Sequence, residues 1–280
     1  MIAKDPIIPL KVLSSRGVLF TCFAQLGLML ARWSILFYSP IFMLAVVGAA
    51  PATAGSVLIP TNLGFGAGGL LVGWLHIRRT GSFWLSPLIC VCGFSLSLYV
   101  LALLAKPGTS VAAFVFVLFV NGMVTGAGLN YTLAHLLHLS HKDTEYVTTS
   151  LLGTFRGFGG SFGTSIGGGI FYRLLRKGLT EGYLALDGDK MLSPERSRLV
   201  SRLLGTPELV YEGNLAPEVK MVAMQSYASA INGVWIAGAV IGIAVIFIQA
   251  ATGWTAPQPV ETDLDLAHAQ VEEREGLAEA

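Results

Sequence analysis

An all-α integral membrane protein with six transmembrane helices is the fold predicted by three features of this sequence. Apolar residues make up 53% of the chain and charged residues 12%, well below the charged share of about 25% usual in soluble domains. The apolar residues gather into six runs, each long enough to cross a hydrocarbon core that takes about 20 residues at about 1.5 Å per residue. All but one of the breaks between these runs are short and carry proline, glycine or charge, which punctuate helix ends.

The same composition argues against several classes. With a net charge of +1 and Lys and Arg scattered along the chain, there is no basic stripe for nucleic acid. Cys22, Cys90 and Cys92 fall inside apolar runs, where thiols pack as small hydrophobes, so neither a disulfide nor a metal role is expected. His135, His138 and His141 recur every third residue without an evident fourth ligand, and no metal or other cofactor is expected. The segment GFGAGG, from Gly64 to Gly69, follows no strand and is not a dinucleotide loop. Neither paired carboxylates nor a nucleophile constellation is evident in the membrane segments, so an enzyme is not expected.

In chain order, residues 1–16 form a polar lead interrupted by Pro6 and Pro9. It lacks the compact apolar core of a signal peptide and is placed in the cytoplasm. The membrane domain, 17–250, begins with segment A, about 18–47, which carries Arg32 near its middle and Pro40, expected to kink it. Segment B starts at about Gly55 and stops at Arg78 and Arg79. Its Gly64, Gly66, Gly69 and Gly73 leave little side-chain bulk, so a neighbouring helix is expected to approach its backbone closely. Segment C, about 83–105, ends at the turn Lys106-Pro107-Gly108. Segment D runs over about 111–139, and segment E, about 148–172, holds Arg156 among a dense set of glycines.

Residues 173–222 are polar and are expected to form an external or lumenal loop containing a short amphipathic helix. Ser193-Pro194-Glu195 starts that helix with a capping serine and a first-turn proline, and Ala216-Pro217-Glu218 is a second start. Segment F covers about 228–250. The acidic tail, 251–280, is expected to be disordered in the cytoplasm. Arg78 and Arg79, in a very short connection, mark the cytoplasmic side, and six spans return the chain to it. The basic residues of 173–222 run against that rule; the short A–B and C–D breaks, which contribute only Lys106, agree with it.

At this point the residues resemble a family. DPIIPLKVLSSR before the first span, FYSPIF within it, AGSVLIPTNLGFGAGGLLVGW ending in RRTGSFW, and FRGFGGSFGTSIGG in the fifth span are together similar to the C-terminal half of a major facilitator superfamily transporter. Among these, the fourteen-helix drug:proton antiporters, fungal multidrug and vacuolar basic amino acid transporters, are most similar. The resemblance covers about Asp5 to Gln249 and implies a six-helix half-bundle that moves a small-molecule solute by alternating access. It implies proton-coupled export of drug-like compounds or basic amino acids, in the plasma or vacuolar membrane. The family's other half and its proton-linked acidic residue have no counterpart here, so a missing N-terminal half, a second copy or a separate partner is expected. A non-transporting or regulatory subunit that pairs with another half is the alternative.

Several intramembrane polar residues are candidates for the solute pathway. A mid-span arginine costs about 2.5–3.5 kcal/mol to insert, so Arg32 should face the bundle interior, an aqueous cavity and an anionic group, or else reach an interface. Asn62, Asn121, Asn130 and Tyr131 either line the pathway or bond a neighbouring helix. His135 is expected at an interface near a helix end. Arg156 has the family's helix-eleven position and is expected to gate, or to pair with helix-terminal carbonyls or with Asp143 or Glu145. Arg78, Arg79 and Pro40 complete the gating or structural set. No acidic residue lies deep in any of the six spans.

Overall fold

The computed structural model describes residues 15–77, 83–140, 144–188 and 191–253. The expectations for the lead, for Arg78 and Arg79, for Asp143 and His141, and for the acidic tail lie outside these residues. Among the described residues the regular secondary structure is helical throughout.

Helix α1, Arg16–Phe42, runs into a π-helical turn, Met43–Val47. Pro40 lies inside α1 without ending it. Its ring removes one backbone donor, and the Met43 N–H still reaches the carbonyls of Ser39 and Pro40; the turn that follows is wide, with the Gly48 N–H reaching back five residues to the Met43 carbonyl. Gly48, at φ 79°, closes the turn in a conformation that suits glycine. Segment B is two helices, α2, Pro51–Ser56, and α3, Leu58–Leu75. They part where Pro60 has no N–H to give the Ser56 carbonyl.

Helix α4 is Leu85–Leu104, and α5, Val111–Leu139, is capped by the Ser110 hydroxyl. Helix α6, Glu145–Asp187, has 43 residues, about 65 Å of helix and roughly twice the hydrocarbon thickness. The expected end of segment E near 172 is therefore corrected: the helix continues until Gly188, at φ 71°, stops it. The polar stretch that follows holds α7, Pro194–Gly205, capped by Ser193, and α8, Leu209–Glu212. The last helix, α9, Pro217–Ala250, begins at the expected second start, with Pro217 in its first turn, and runs unbroken into segment F.

Among the described residues, five helical segments are long and apolar enough to span a membrane: α1 with its π turn, α2 with α3, α4, α5 and α9. Glycine and serine lower the hydropathy of α6, yet it runs beside α1 and α9 through the same layer. The helices alternate in direction. Gly17 lies against Leu139 and Thr252, and the Trp84 indole donates to the Ala250 carbonyl at 3.1 Å, so one end gathers the start of α1 and α4 and the finish of α5 and α9.

Packing divides the helices into two groups. In the first, α1, α6 and α9 each touch the other two. In the second, α3 packs almost only on α5, and α5 on α4, which in turn meets α9. Phe42, Phe114 and Trp235 join the groups in an aromatic core, with ring centroids 4.8–6.4 Å apart. The α3–α5 seam is built from two facing small-xxx-small pairs. A Cβ on Gly64 or Gly68 would strike the backbone of Phe119 or Met123, and one on Gly122 or Gly126 would strike the backbone of Thr61 or Phe65. Segment B is indeed approached closely by a neighbour, but by way of Gly64 and Gly68. Gly66 and Gly73 face open space, and Gly69 meets only the Asn130 side chain and, more loosely, the Gly126 carbonyl.

A cap of α7, α8 and the outer ends of α6 and α9 covers the opposite end of the bundle. Tyr211 of α8 donates to the Val46 carbonyl at 2.9 Å, a group released by the π turn, while Lys220 sits 3.6 Å over its ring. Tyr227 of α9 donates to the Leu203 carbonyl of α7. Arg196 grips Asp187 through two hydrogen bonds of 3.0 Å. That fork holds the Asp187 carboxyl below its usual pKa.

Candidate solute site between α1, α3 and α5

The two arginines inside the bundle are held in opposite ways. Arg156 of α6 donates from Nε to Gln25 Oε1 at 2.9 Å and from Nη2 to the Leu129 carbonyl at 3.1 Å. Gln25 passes the chain on to Thr132 Oγ1 at 3.1 Å, and Thr132 to the Gly128 carbonyl at 2.6 Å. One side chain thereby ties α6 to both α1 and α5, with charge-assisted bonds worth about 1.5–3 kcal/mol each. This corrects the expected partners of Arg156: they are an amide and a mid-helix carbonyl, in place of a helix terminus or Glu145.

Arg32 has none of this support. It is 6% exposed and lies about 24 Å from either end of the α1 rod, at 1.5 Å per residue, so it is interior and remote from both interfaces. Its guanidinium stacks over the Phe65 ring of α3, 4.6 Å from the centroid. Nη1 is buried without a hydrogen-bond partner among the described residues. A desolvated cation–π contact is worth about 2 kcal/mol, less than the cost of placing the charge at mid-span. Arg32 is thus held in place but not neutralised.

Buried polar atoms surround this seam. Thr61 Oγ1, one turn before Phe65, is buried without a partner among the described residues, as are Asn121 Oδ1 on α5 and Ser39 Oγ on α1. Asn121 itself is anchored, since its amide donates to Ser97 Oγ of α4 at 2.7 Å. Asn130 bonds back to the Gly126 carbonyl at 3.0 Å, and the Tyr131 ring meets His76 edge to face at 5.4 Å. Asn62 is exposed on α3, away from this cluster. Arg32 and Asn121 therefore border the seam, while Asn130 and Tyr131 lie farther toward the α3–α4 end. His135, expected at an interface, is fully buried, with Nε2 3.2 Å from Thr252 Oγ1.

Gln25, Thr132, Phe65 and Thr61 were not legible as site residues from the sequence. Gln25 had a usable signal: it is the one amide in an otherwise apolar stretch of segment A. Phe65 had none, because one phenylalanine among many in a span looks like any lipid-facing residue.

The described residues form an all-α bundle of membrane-spanning helices, with buried polar groups on α1, α3 and α5. No family model matches the chain. It is similar to the MFS transporter L2 of Phoma sp., 28% identical over 88% of this chain and 40% of that protein. It is similar also to the uncharacterized transporter C460.03 of Schizosaccharomyces pombe, 28% identical over 74% of this chain and 37% of the relative. The multidrug resistance protein fnx1 of the same yeast is 24% identical over 87% of this chain and 44% of its own length. The chain thus spans about 40% of the length of the curated relatives it matches. Two of these relatives are named as transporters and the third as a multidrug resistance protein.

Proposed function

We propose that this chain forms one half of a solute transporter that works by alternating access, its α3 and α6 faces closing against a second six-helix half. One observation carries the pairing. Gly153, Gly157, Ser161, Ser165 and Gly169 recur every fourth residue on α6 and are all exposed. A Cβ on Gly153, Gly157 or Gly169 would meet nothing within 4 Å. Small residues repeated at that spacing suit the close approach of another membrane helix better than they suit lipid. The similarity to three transporters over most of the chain supports the transport itself.

The solute pathway runs along α1, α3 and α5, lined by Arg32, Asn121 and the flanking Asn62, Asn130 and Tyr131. Arg156 acts as the brace of that wall. Proton coupling belongs to the second half, because the sequence of the membrane segments here offers no carboxylate at depth. Export of drug-like compounds agrees with the printed name of one relative. Basic amino acids are disfavoured, since a buried cation at the seam repels them.

The test is site-directed cross-linking. A single cysteine at Ser161, in the full chain with its native cysteines replaced, should be captured by a second polypeptide or a second copy in membranes. Ser161→Trp should abolish both the capture and solute flux in proteoliposomes. A chain that remains monomeric with Ser161→Cys uncaptured, and that shows no flux, refutes the pairing.

A further inference from the structure

We propose that Arg32, held over the Phe65 ring, is the solute-anchoring residue of the pathway, and that the solute it takes is an organic carboxylate with an apolar body. This deepens the transporter reading and rests on it. Four observations point the same way. The guanidinium is buried, yet it makes no hydrogen bond or ion pair with any described residue. Arg156, the other arginine in the bundle, is by contrast fully engaged, so an uncommitted guanidinium is not a general habit of this interior.

The geometry of the stack is the third observation. A phenyl ring beneath a guanidinium offers no lone pair to its N–H donors, and those are the donors a carboxylate takes as a fork. Phe65 thus holds the cation in place without using the atoms that recognise an anion. Fourth, no Asp or Glu occurs within α1, α3, α4 or α5, and the acidic residues of α6 and α9 lie in their end segments. The counter-charge must come from outside this half. Leu28, Met29, Ile35 and Leu36, the helical neighbours of Arg32, supply an apolar wall, so a small hydrophilic anion fits poorly and an amphiphilic one fits well.

The experiment is equilibrium binding of radiolabelled 2-naphthoate to the purified full chain in lipid nanodiscs. The wild type should bind saturably, and unlabelled carboxylates of similar shape should displace the label. 2-Naphthamide and naphthylmethylamine should not. Arg32→Gln should weaken binding about 10- to 100-fold, the loss of one charge-assisted contact, with Arg32→Lys in between. Phe65→Leu should weaken it less, and Lys177→Gln, which removes an exposed cation on the outer part of α6, should leave it near wild type.

Saturable binding that is unchanged in Arg32→Gln overturns the proposal, and so does preference for naphthylmethylamine. Absence of binding overturns it too, and would mean that the carboxylate at Arg32 is a side chain of the second half. Flux measured in parallel separates the two readings. Naphthoate binding that depends on Arg32, in a chain that supports no flux with any partner, keeps the anion site and removes the transporter. Flux indifferent to Arg32 does the reverse.

Discussion

Alanine at Gly68 is the sharpest test of how this bundle is held. The Cβ of Gly68→Ala would fall on the backbone of Met123, against its carbonyl oxygen, carbonyl carbon and Cα. Backbone atoms have no rotamer to escape into, so α3 and α5 must separate by about 1 Å, and the matched contacts at Gly64, Gly122 and Gly126 loosen with them. Overpacking of this kind costs about 1–3 kcal/mol. The comparison that isolates it is Gly66→Ala, two residues earlier on the same helix and facing open space. Both substitutions gain the same helix propensity, about 1 kcal/mol, so their difference reports the seam alone. Thermal unfolding of the two variants in detergent should place Gly68→Ala below Gly66→Ala by that 1–3 kcal/mol. Because α3 has almost no other partner, proteolysis of α3 should accelerate in Gly68→Ala only. Equal stability of the two would refute the claim that backbone contact holds α3 to α5.

Three further outcomes follow from the polar contacts. Gln25→Leu removes the acceptor of Arg156 Nε and should destabilise the chain by about 1.5–3 kcal/mol, whereas Gln25→Glu should restore or exceed wild-type stability in the same unfolding assay. The Asp187–Arg196 fork gives a pH dependence. Asp187 has a lowered pKa in the folded chain, so its contribution is present above the ordinary carboxylate value of about 4. It is lost as pH falls through the folded value. Hydrogen exchange across residues 194–205 should therefore accelerate on acidification below pH 4 in the wild type, and lose that acid-dependent component in Asp187→Asn. Tyr211→Phe leaves the Val46 carbonyl without its donor and should cost about 0.5–1.5 kcal/mol, with faster exchange confined to residues 43–50.

The parts of the fold that were legible in the sequence are those written as periodic apolar length. Segments A, C and D match α1 with its π turn, α4 and α5 to within a few residues, because proline, glycine and charge sit at their ends. Segment E falls short of α6, which carries charged residues past the apolar run and continues by ordinary helix propensity once apolarity is no longer required, whereas α9 begins at the proline start that the sequence marks. Glycine counts announced close packing but not its register: Gly64 and Gly68 face α5, while Gly66 points away, a distinction set by the 100° step and the position of the partner helix. At the site, Arg32 and Arg156 stood out because a charge in a span is costly wherever it points. Which of the two is neutralised depends on contacts between residues over a hundred positions apart, such as Gln25 with Thr132 and with Arg156, and a single sequence carries no record of them.

The grouping of the helices has a consequence for how the chain is made. Helix α1 leaves the ribosome before the other helices described, yet its main neighbours, α6 and α9, are synthesised more than a hundred residues later. Helix α3 likewise waits for α5, which follows α4. The first three long helices, α1, α3 and α4, make few contacts with one another, while α6 and α9 pair only once both are made. Insertion into the bilayer and assembly within it are therefore separate events for this chain, and α9, which meets α1, α4 and α6, follows all three. Until it is in place, the faces of α1, α4 and α6 that it covers stay unpacked. A chain interrupted before Pro217 should be inserted but left for quality control, as a set of spans with no closed interior.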